Sequence, residues 1–182
     1  MKQLVKRAMN HDNEAFVELI QRQTQAMYKV ARGILKNEED VADALQETIL
    51  KCYEKIDTLK EPKYFKTWMT RILINNCNDI LRASKLECSY EEYVPMAVSE
   101  DNTSYYEFVQ LIDSLDEKYR MLILLYYVEG FKIKEISEIL NIKESTIKTR
   151  LNRGREKLRR IYERSDVDSG NKKFMEVREY AK

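Results

Sequence analysis

Residues 131–160 read FKIKEISEILNIKESTIKTRLNRGREKLRR, and this stretch decides the architecture of the C-terminal part of the chain. Ile133, Ile136, Ile139 and Leu140 recur at helical spacing and give a short helix one apolar face. Ile147, Leu151 and Leu158 give the next helix a buried stripe of its own, with Ile142 in the joint between them. Two short helices so briefly joined must cross at a steep angle, the helix-turn-helix arrangement. Asn141 stands where the turn wants a left-handed backbone, which Asn tolerates better than most residues. Ser137 is small, as close helix packing requires.

The other side of the second helix carries Lys148, Thr149, Asn152, Arg153, Arg155 and Lys157, with Thr146 at its start. Arg and Lys read guanine in the major groove and Asn reads adenine, while hydroxyls and further cations hold phosphates. This inventory suits a recognition helix. A solvated basic face on a helical bundle is the plainer alternative. A membrane-surface helix is a third, but the apolar stripe lacks the Trp and Phe that favour insertion and is needed for the bundle. Lys143 stands where a capping hydroxyl or acid is usual, so the helix is expected to start at Ser145, with Glu144 complementing its positive end.

Working outward, 4 Gly and 2 Pro in 182 residues, with Leu, Ile, Glu, Lys and Arg at helical spacing, point to an all-α protein without a sheet. A first helix carries Phe16, Leu19, Ile20, Met27, Val30 and Ile34 on one stripe and stops near Gly33 and Asn37. A second buries Val41, Leu45, Thr48, Ile49, Cys52 and Ile56, and its opposite face lines up Asp40, Asp43, Gln46 and Glu47. Pro62 announces a third, with Phe65, Trp68, Met69, Ile72, Leu73, Asn76 or Cys77, and Ile80 inward. Its exposed ridge is expected to run through Tyr64, Thr67, Arg71, Asn75, Asn78 and Arg82. Trp68 shares the buried stripe and reads as core.

The formal charge of +1 conceals segregation. No Lys or Arg occurs from Leu86 to Glu117, whereas Lys143 to Arg160 holds eight basic residues against two acidic ones. Residues 87–104, with Pro95, clustered acids and no helical period, read as a flexible acidic linker between two small helical domains, 1–86 and 105–165. A polar tail follows over 166–182. Helical periodicity resumes with Tyr105, Phe108, Leu111, Ile112 and Leu115, then again with Met121, Leu122, Leu124, Leu125 and Val128.

No run of about 18 apolar residues exists and the N-terminus lacks a secretory signal, so a cytoplasmic protein is expected. Three scattered cysteines, Cys52, Cys77 and Cys88, indicate neither a disulfide framework nor a zinc site. The single histidine, His11, has no nucleophile or metal-ligand partner in the sequence around it. No metal, cofactor or enzymatic activity is expected.

Three blocks together carry a family resemblance. EEDVADALQETILKCYEKI, with Asp43-Ala44-Leu45-Gln46-Glu47, resembles the polymerase-binding segment of the extracytoplasmic-function group of sigma-70 RNA polymerase sigma factors. FKTWMTRILINNCNDILR resembles that family's promoter-melting segment through Phe65, Trp68, Arg71, Ile72, Asn75, Asp79 and Arg82. LDEKYRMLILLYYVEGFKIKEISEILNIKESTIKTRLNRGREKLR is similar to its fourth region almost throughout.

The resemblance implies a factor that binds core polymerase and selects promoters without an active site of its own. Asp40, Asp43, Gln46 and Glu47 would pack on a coiled coil of the largest polymerase subunit, and the C-terminal domain would meet the flap of the second subunit. Arg71, Asn75, Asn78, Asp79 and Arg82 would hold the single strand of the minus-ten element. Thr146, Lys148, Thr149, Asn152, Arg153 and Arg155 would read the minus-35 element. The linker acids Glu87, Glu91, Glu92, Glu100 and Asp101 would suit a positively charged polymerase channel, although a plain soluble spacer has the same composition. An anti-sigma factor, commonly membrane-bound, is the further implied partner. The rival is a conventional helix-turn-helix regulator whose N-terminal half dimerises or senses a signal.

Overall fold

The computed structural model describes the backbone of residues 1–87 and 114–169 and the side chains of residues 1–84 and 114–161. The expected linker, Cys88, the periodic segment from Tyr105 to Ile112, and the tail from Gly170 onward lie outside the described residues.

Among the described residues the protein is entirely helical. The N-terminal body holds α1 (Lys2–Met9), α2 (Asn13–Arg32), α3 (Glu38–Lys55) and α4 (Phe65–Glu87). Asp12 caps α2 by accepting from the Ala15 amide at 3.0 Å. That bond and the Arg7 guanidinium, 2.7 Å away, hold its carboxyl below the ordinary value. Asn37 caps α3 from the Glu39 amide at 3.0 Å, and Glu38, Glu39 and Asp40 fill the first turn, complementing the positive helix end. Pro62 opens a short 3-10 turn, Pro62–Tyr64, that leads into α4. The stripes read from the sequence meet in the middle: Leu19 and Met27 from α2, Val41 and Cys52 from α3, and Phe65, Met69 and Leu73 from α4 are buried together. Each large apolar side chain so buried contributes about 1.5–3 kcal/mol.

Among the described residues, the first helix of the C-terminal body is α5 (Glu117–Ile123), which runs straight into a π-helical turn, Leu124–Val128. There the Glu129 amide donates to the Leu124 carbonyl at 2.9 Å, a five-residue closure. Gly130, at φ 70°, reverses the chain. The helix-turn-helix follows as α6 (Ile133–Leu140) and α7 (Glu144–Ser169), which pack on each other while α5 crosses α7.

Asn141 has φ 53° and ψ 45°, the expected left-handed turn. The Ser137 hydroxyl donates to the Ile142 carbonyl at 2.7 Å, so it ties the turn as well as leaving room for it. Because a β-branched residue clashes in that conformation, Asn141→Val is expected to cost about 1–2 kcal/mol. Asn141→Gly should be close to neutral. Urea midpoints of the two variants check this, and equal midpoints would remove the turn from the account.

Several expectations are corrected. The N-terminal stretch forms α1, whose Leu4, Val5 and Ala8 are buried against α2; three apolar residues in a polar segment gave too little period to read. Asn37 caps the start of α3 instead of closing the helix before it, whereas α2 does stop at Gly33, its C-cap, in right-handed geometry at φ −68°. The recognition helix starts at Glu144, one residue before Ser145, because the Lys143 carbonyl itself accepts from the Ile147 amide at 3.1 Å. Thr67, expected on the exposed ridge of α4, is buried along with Thr70 and Ile74.

Candidate nucleic-acid and protein interfaces

Three faces of this scaffold carry the residues singled out from the sequence. The first is a groove of about 370 Å³ between α3 and α4, lined by Asp43, Gln46, Glu47, Leu50 and Lys51 on one side and Asn76, Asp79 and Ile80 on the other. Helical spacing from Asp43 to Glu47 sets two carboxylates on one side, and Leu50 adds an aliphatic surface that is 58% exposed. Asp40 does not line the groove. Partly buried, its carboxyl is held above the ordinary value first by desolvation, then by Asp43 and Glu39.

Asp79, placed by the resemblance among the DNA-holding residues, lies in this acidic groove, with Arg82 at 3.1 Å. A polar chain runs beneath the groove. Lys51 pairs with Glu47 at 3.0 Å and donates to the Asn76 amide oxygen at 2.7 Å. The Asn76 amide donates to the Thr48 hydroxyl at 2.9 Å, and that hydroxyl donates to the Ala44 carbonyl at 2.6 Å. Sequence reasoning missed Leu50, Lys51 and Ile80 as parts of this face. The signal was there in the Glu47 to Lys51 spacing and in Leu50, which falls off the apolar stripe.

The second face is the outer side of α4, where Arg71, Asn75 and Arg82 are exposed and Asn78 is half-buried. Tyr64 precedes them, 44% exposed, with the Lys63 ammonium 4.7 Å from its ring centre. Trp68 is half-buried, its ring 6.0 Å from that of Phe65, so it is part of the core's edge.

The third face is that of α7. Ile147 and Leu151 are buried against the other helices, which leaves Lys148, Thr149, Asn152, Arg153 and Arg155 exposed and Thr146 half-buried. The Thr149 hydroxyl donates to the Ser145 carbonyl at 2.9 Å, and Arg155 donates to the Asn152 side-chain oxygen. Lys157 is engaged elsewhere, 2.5 Å from Asp116 and 4.9 Å from the Tyr119 ring centre. Its partner Asp116 is held below the ordinary carboxylate value first by the hydrogen bond from Lys157.

Neither thiol of the N-terminal body belongs to any of these faces. Cys52 and Cys77 are wholly buried, and desolvation pushes both up to about 12. No group of His, Cys, Asp and Glu suited to a metal ion occurs among the described residues.

Comparison with known proteins gives the same three blocks a common origin. Residues 19–87 match the model "Sigma-70 region 2" and residues 105–158 match "Sigma-70, region 4". The chain is 31% identical over 180 residues to the ECF RNA polymerase sigma factor SigW of Bacillus subtilis (strain 168), covering 88% of this chain and 95% of SigW. It is 32% identical over 132 residues to the RNA polymerase sigma factor SigV of the same organism, covering 71% of this chain and 80% of SigV. Among solved structures it is similar to CnrH in complex with the cytosolic domain of CnrY, with TM-score 0.67 and 25% identity, covering 92% of this chain and 98% of CnrH. The sigma factor RpoE of Bartonella quintana, solved with the anti-sigma factor NepR, shares the fold at TM-score 0.71 and 21% identity, covering 81% of this chain and 96% of RpoE. A chain whose two bodies match regions 2 and 4 in order, and which spans nearly the full length of SigW, belongs to the extracytoplasmic-function group of sigma-70 RNA polymerase sigma factors.

Proposed function

We propose that the three faces divide the work of promoter-specific initiation. Asp43, Gln46 and Glu47, with Leu50, receive a basic helical surface of core polymerase, for which the coiled coil of the largest subunit is the family's choice. Asp40 backs this face from one turn away. Arg71, Asn75, Asn78 and Arg82 hold the strand separated at the minus-ten element, cations toward phosphate and amides toward base edges. Asp79, beside Arg82, belongs to both faces and orients that cation. Thr146, Lys148, Thr149, Asn152, Arg153 and Arg155 enter the major groove at the minus-35 element, and the C-terminal body meets the polymerase flap.

The observation that carries this reading is the exposure of Thr149, Asn152 and Arg153 on the side of α7 opposite Ile147 and Leu151, which α5 and α6 hold in place. The protein supplies no catalytic group and works in the cytoplasm, where polymerase is. No described helix is long and apolar enough to cross a membrane. A membrane-anchored anti-sigma factor is a further partner, in keeping with the cytosolic domain of CnrY solved in complex with CnrH. A conventional regulator with a dimerising N-terminal half has no observation in its favour, since that half matches region 2.

The test is transcription by core polymerase on a pool of genomic fragments, comparing wild type with Arg153→Ala. Loss of one bidentate base contact, worth about 1–3 kcal/mol, should relax or abolish selection of the upstream element while core binding stays unchanged. Promoter choice that is the same with both proteins would strike Arg153 from the base-reading set. Failure of the wild type to direct any initiation would remove the proposal itself.

A further inference from the structure

The outer side of α7 carries a pattern of donors and acceptors that the helix sets by its own hydrogen bonds. Gly154 is buried, and a Cβ there would meet Ile123 and Tyr119 of α5 at 3.4 Å, so with Ile147 and Leu151 it fixes which way the helix is turned. At about 100° per residue, Thr149 and Asn152 then point away from the body, and Arg155 stands on the flank, nearer the buried stripe. All three are exposed. Arg155 reaches back one turn and donates to the side-chain oxygen of Asn152. A guanidinium has donors only, so the end of the amide that faces it must be the oxygen. The amide nitrogen, at the other end, is left to meet whatever lies against the helix. Thr149 is committed in the opposite sense: its hydroxyl hydrogen goes to the Ser145 carbonyl at 2.9 Å, so it offers lone pairs and a methyl group.

These commitments change what the face can read. In the major groove adenine shows an acceptor, N7, beside a donor, the N6 amine, whereas guanine shows two acceptors, N7 and O6. An asparagine pairs with adenine by turning both ends of its amide to the base. With its oxygen turned to the flank, Asn152 meets a base with N–H groups alone. An adenine amine would then face donors and find no acceptor, and a polar group left unpaired in a closed interface is unfavourable. Guanine leaves nothing unmet. The usual pairing of asparagine with adenine is therefore reversed at this position.

We propose that Asn152 selects guanine over adenine, and that Arg155 is the positioning residue that makes it do so by holding the amide oxygen away from the base. The inference rests on the functional reading above, in which α7 enters the major groove at the minus-35 element. Arg155 needs no base contact of its own for this role; on the flank of the helix, its remaining donors are placed for the backbone phosphates. Lys148 and Arg153 likewise carry donors only, so nothing beside Asn152 replaces the acceptor that Arg155 withdraws. Without Arg155 the same asparagine is a different reader. Its oxygen is released, and both ends of the amide can turn to adenine.

A promoter pool randomised across the upstream element, transcribed by core polymerase with the full chain, tests this. Asn152→Ala identifies the base pair concerned, as the position where discrimination is lost. At that position the wild type should favour guanine over adenine by about 5-fold or more. Arg155→Met, which keeps a long stem and removes every donor, should lower initiation across the whole pool and invert the preference there to adenine. Loss of a phosphate contact alone would weaken all sequences alike and leave the preference where it was. Preference for adenine by the wild type, the lack of any position that answers to Asn152→Ala, or a guanine preference unmoved by Arg155→Met would each overturn the proposal. Absence of initiation by the wild type would instead count against the functional reading. The same pool as bare duplex, retained by the full chain alone, then decides the base preference through the same three comparisons.

Discussion

Asp43→Lys combined with Glu47→Lys is expected to weaken association with core RNA polymerase by about 100-fold or more, without unfolding the protein. Both side chains are exposed on the groove side of α3, so neither contributes to the core, and surface changes of this kind alter stability by about 0.5 kcal/mol or less. At an interface the same exchange removes two attractions and creates two repulsions. Disrupting one charge pair in a complex costs about 2–5 kcal/mol, and each 1.4 kcal/mol is about a factor of ten. Glu47→Lys also faces Lys51 with a like charge where the native pair stands at 3.0 Å. Fluorescence anisotropy against core enzyme, with circular dichroism as the folding control, provides the measurement. Binding within a few-fold of wild type would show that the acidic groove is not the polymerase face.

The largest effect on stability is expected from Phe65→Ala. Phe65 is 2% exposed at the first turn of α4 and belongs to the buried core. Truncating a buried Phe costs about 3–5 kcal/mol, from lost burial and from the cavity left behind. For a body of this size each kcal/mol lowers Tm by about 4–8 °C, so a fall of at least about 12 °C is expected. Arg71→Ala, six residues further along on the exposed side of the same helix, should move Tm hardly at all. Differential scanning calorimetry of the two variants separates a residue that builds α4 from one that α4 presents; similar melting temperatures for both would contradict the packing described.

Helical periodicity made the main helices legible because each buries a single stripe, and the stripe of α7 settled by elimination which of its residues face outward. Asn141 was legible because its conformation is a property of one residue and its neighbours. What escaped had other causes. Helix α1 has too few turns for a period to accumulate. Thr67, Thr70 and Ile74 are buried off the main stripe of α4, a helix that also packs on α6, which is distant in sequence. Gly33 ends α2 as read, but the sequence did not show that its missing Cβ also makes room for Leu124. Asp79 lines the groove with Asp43 and Glu47 while standing 3.1 Å from Arg82, a double placement that helical spacing alone does not disclose.

The hydrogen-bonded relay from Lys51 through Asn76 to Thr48 gives the N-terminal body a mechanical property. Sliding α3 along α4 by a single turn would strand the Asn76 amide away from both partners, at a cost of about 1–3 kcal/mol for each unmet polar group. The two helices therefore travel as one rigid lever. On the proposed reading, polymerase held at the acidic side of α3 and a strand held by the arginines and amides of α4 would be coupled through this linkage.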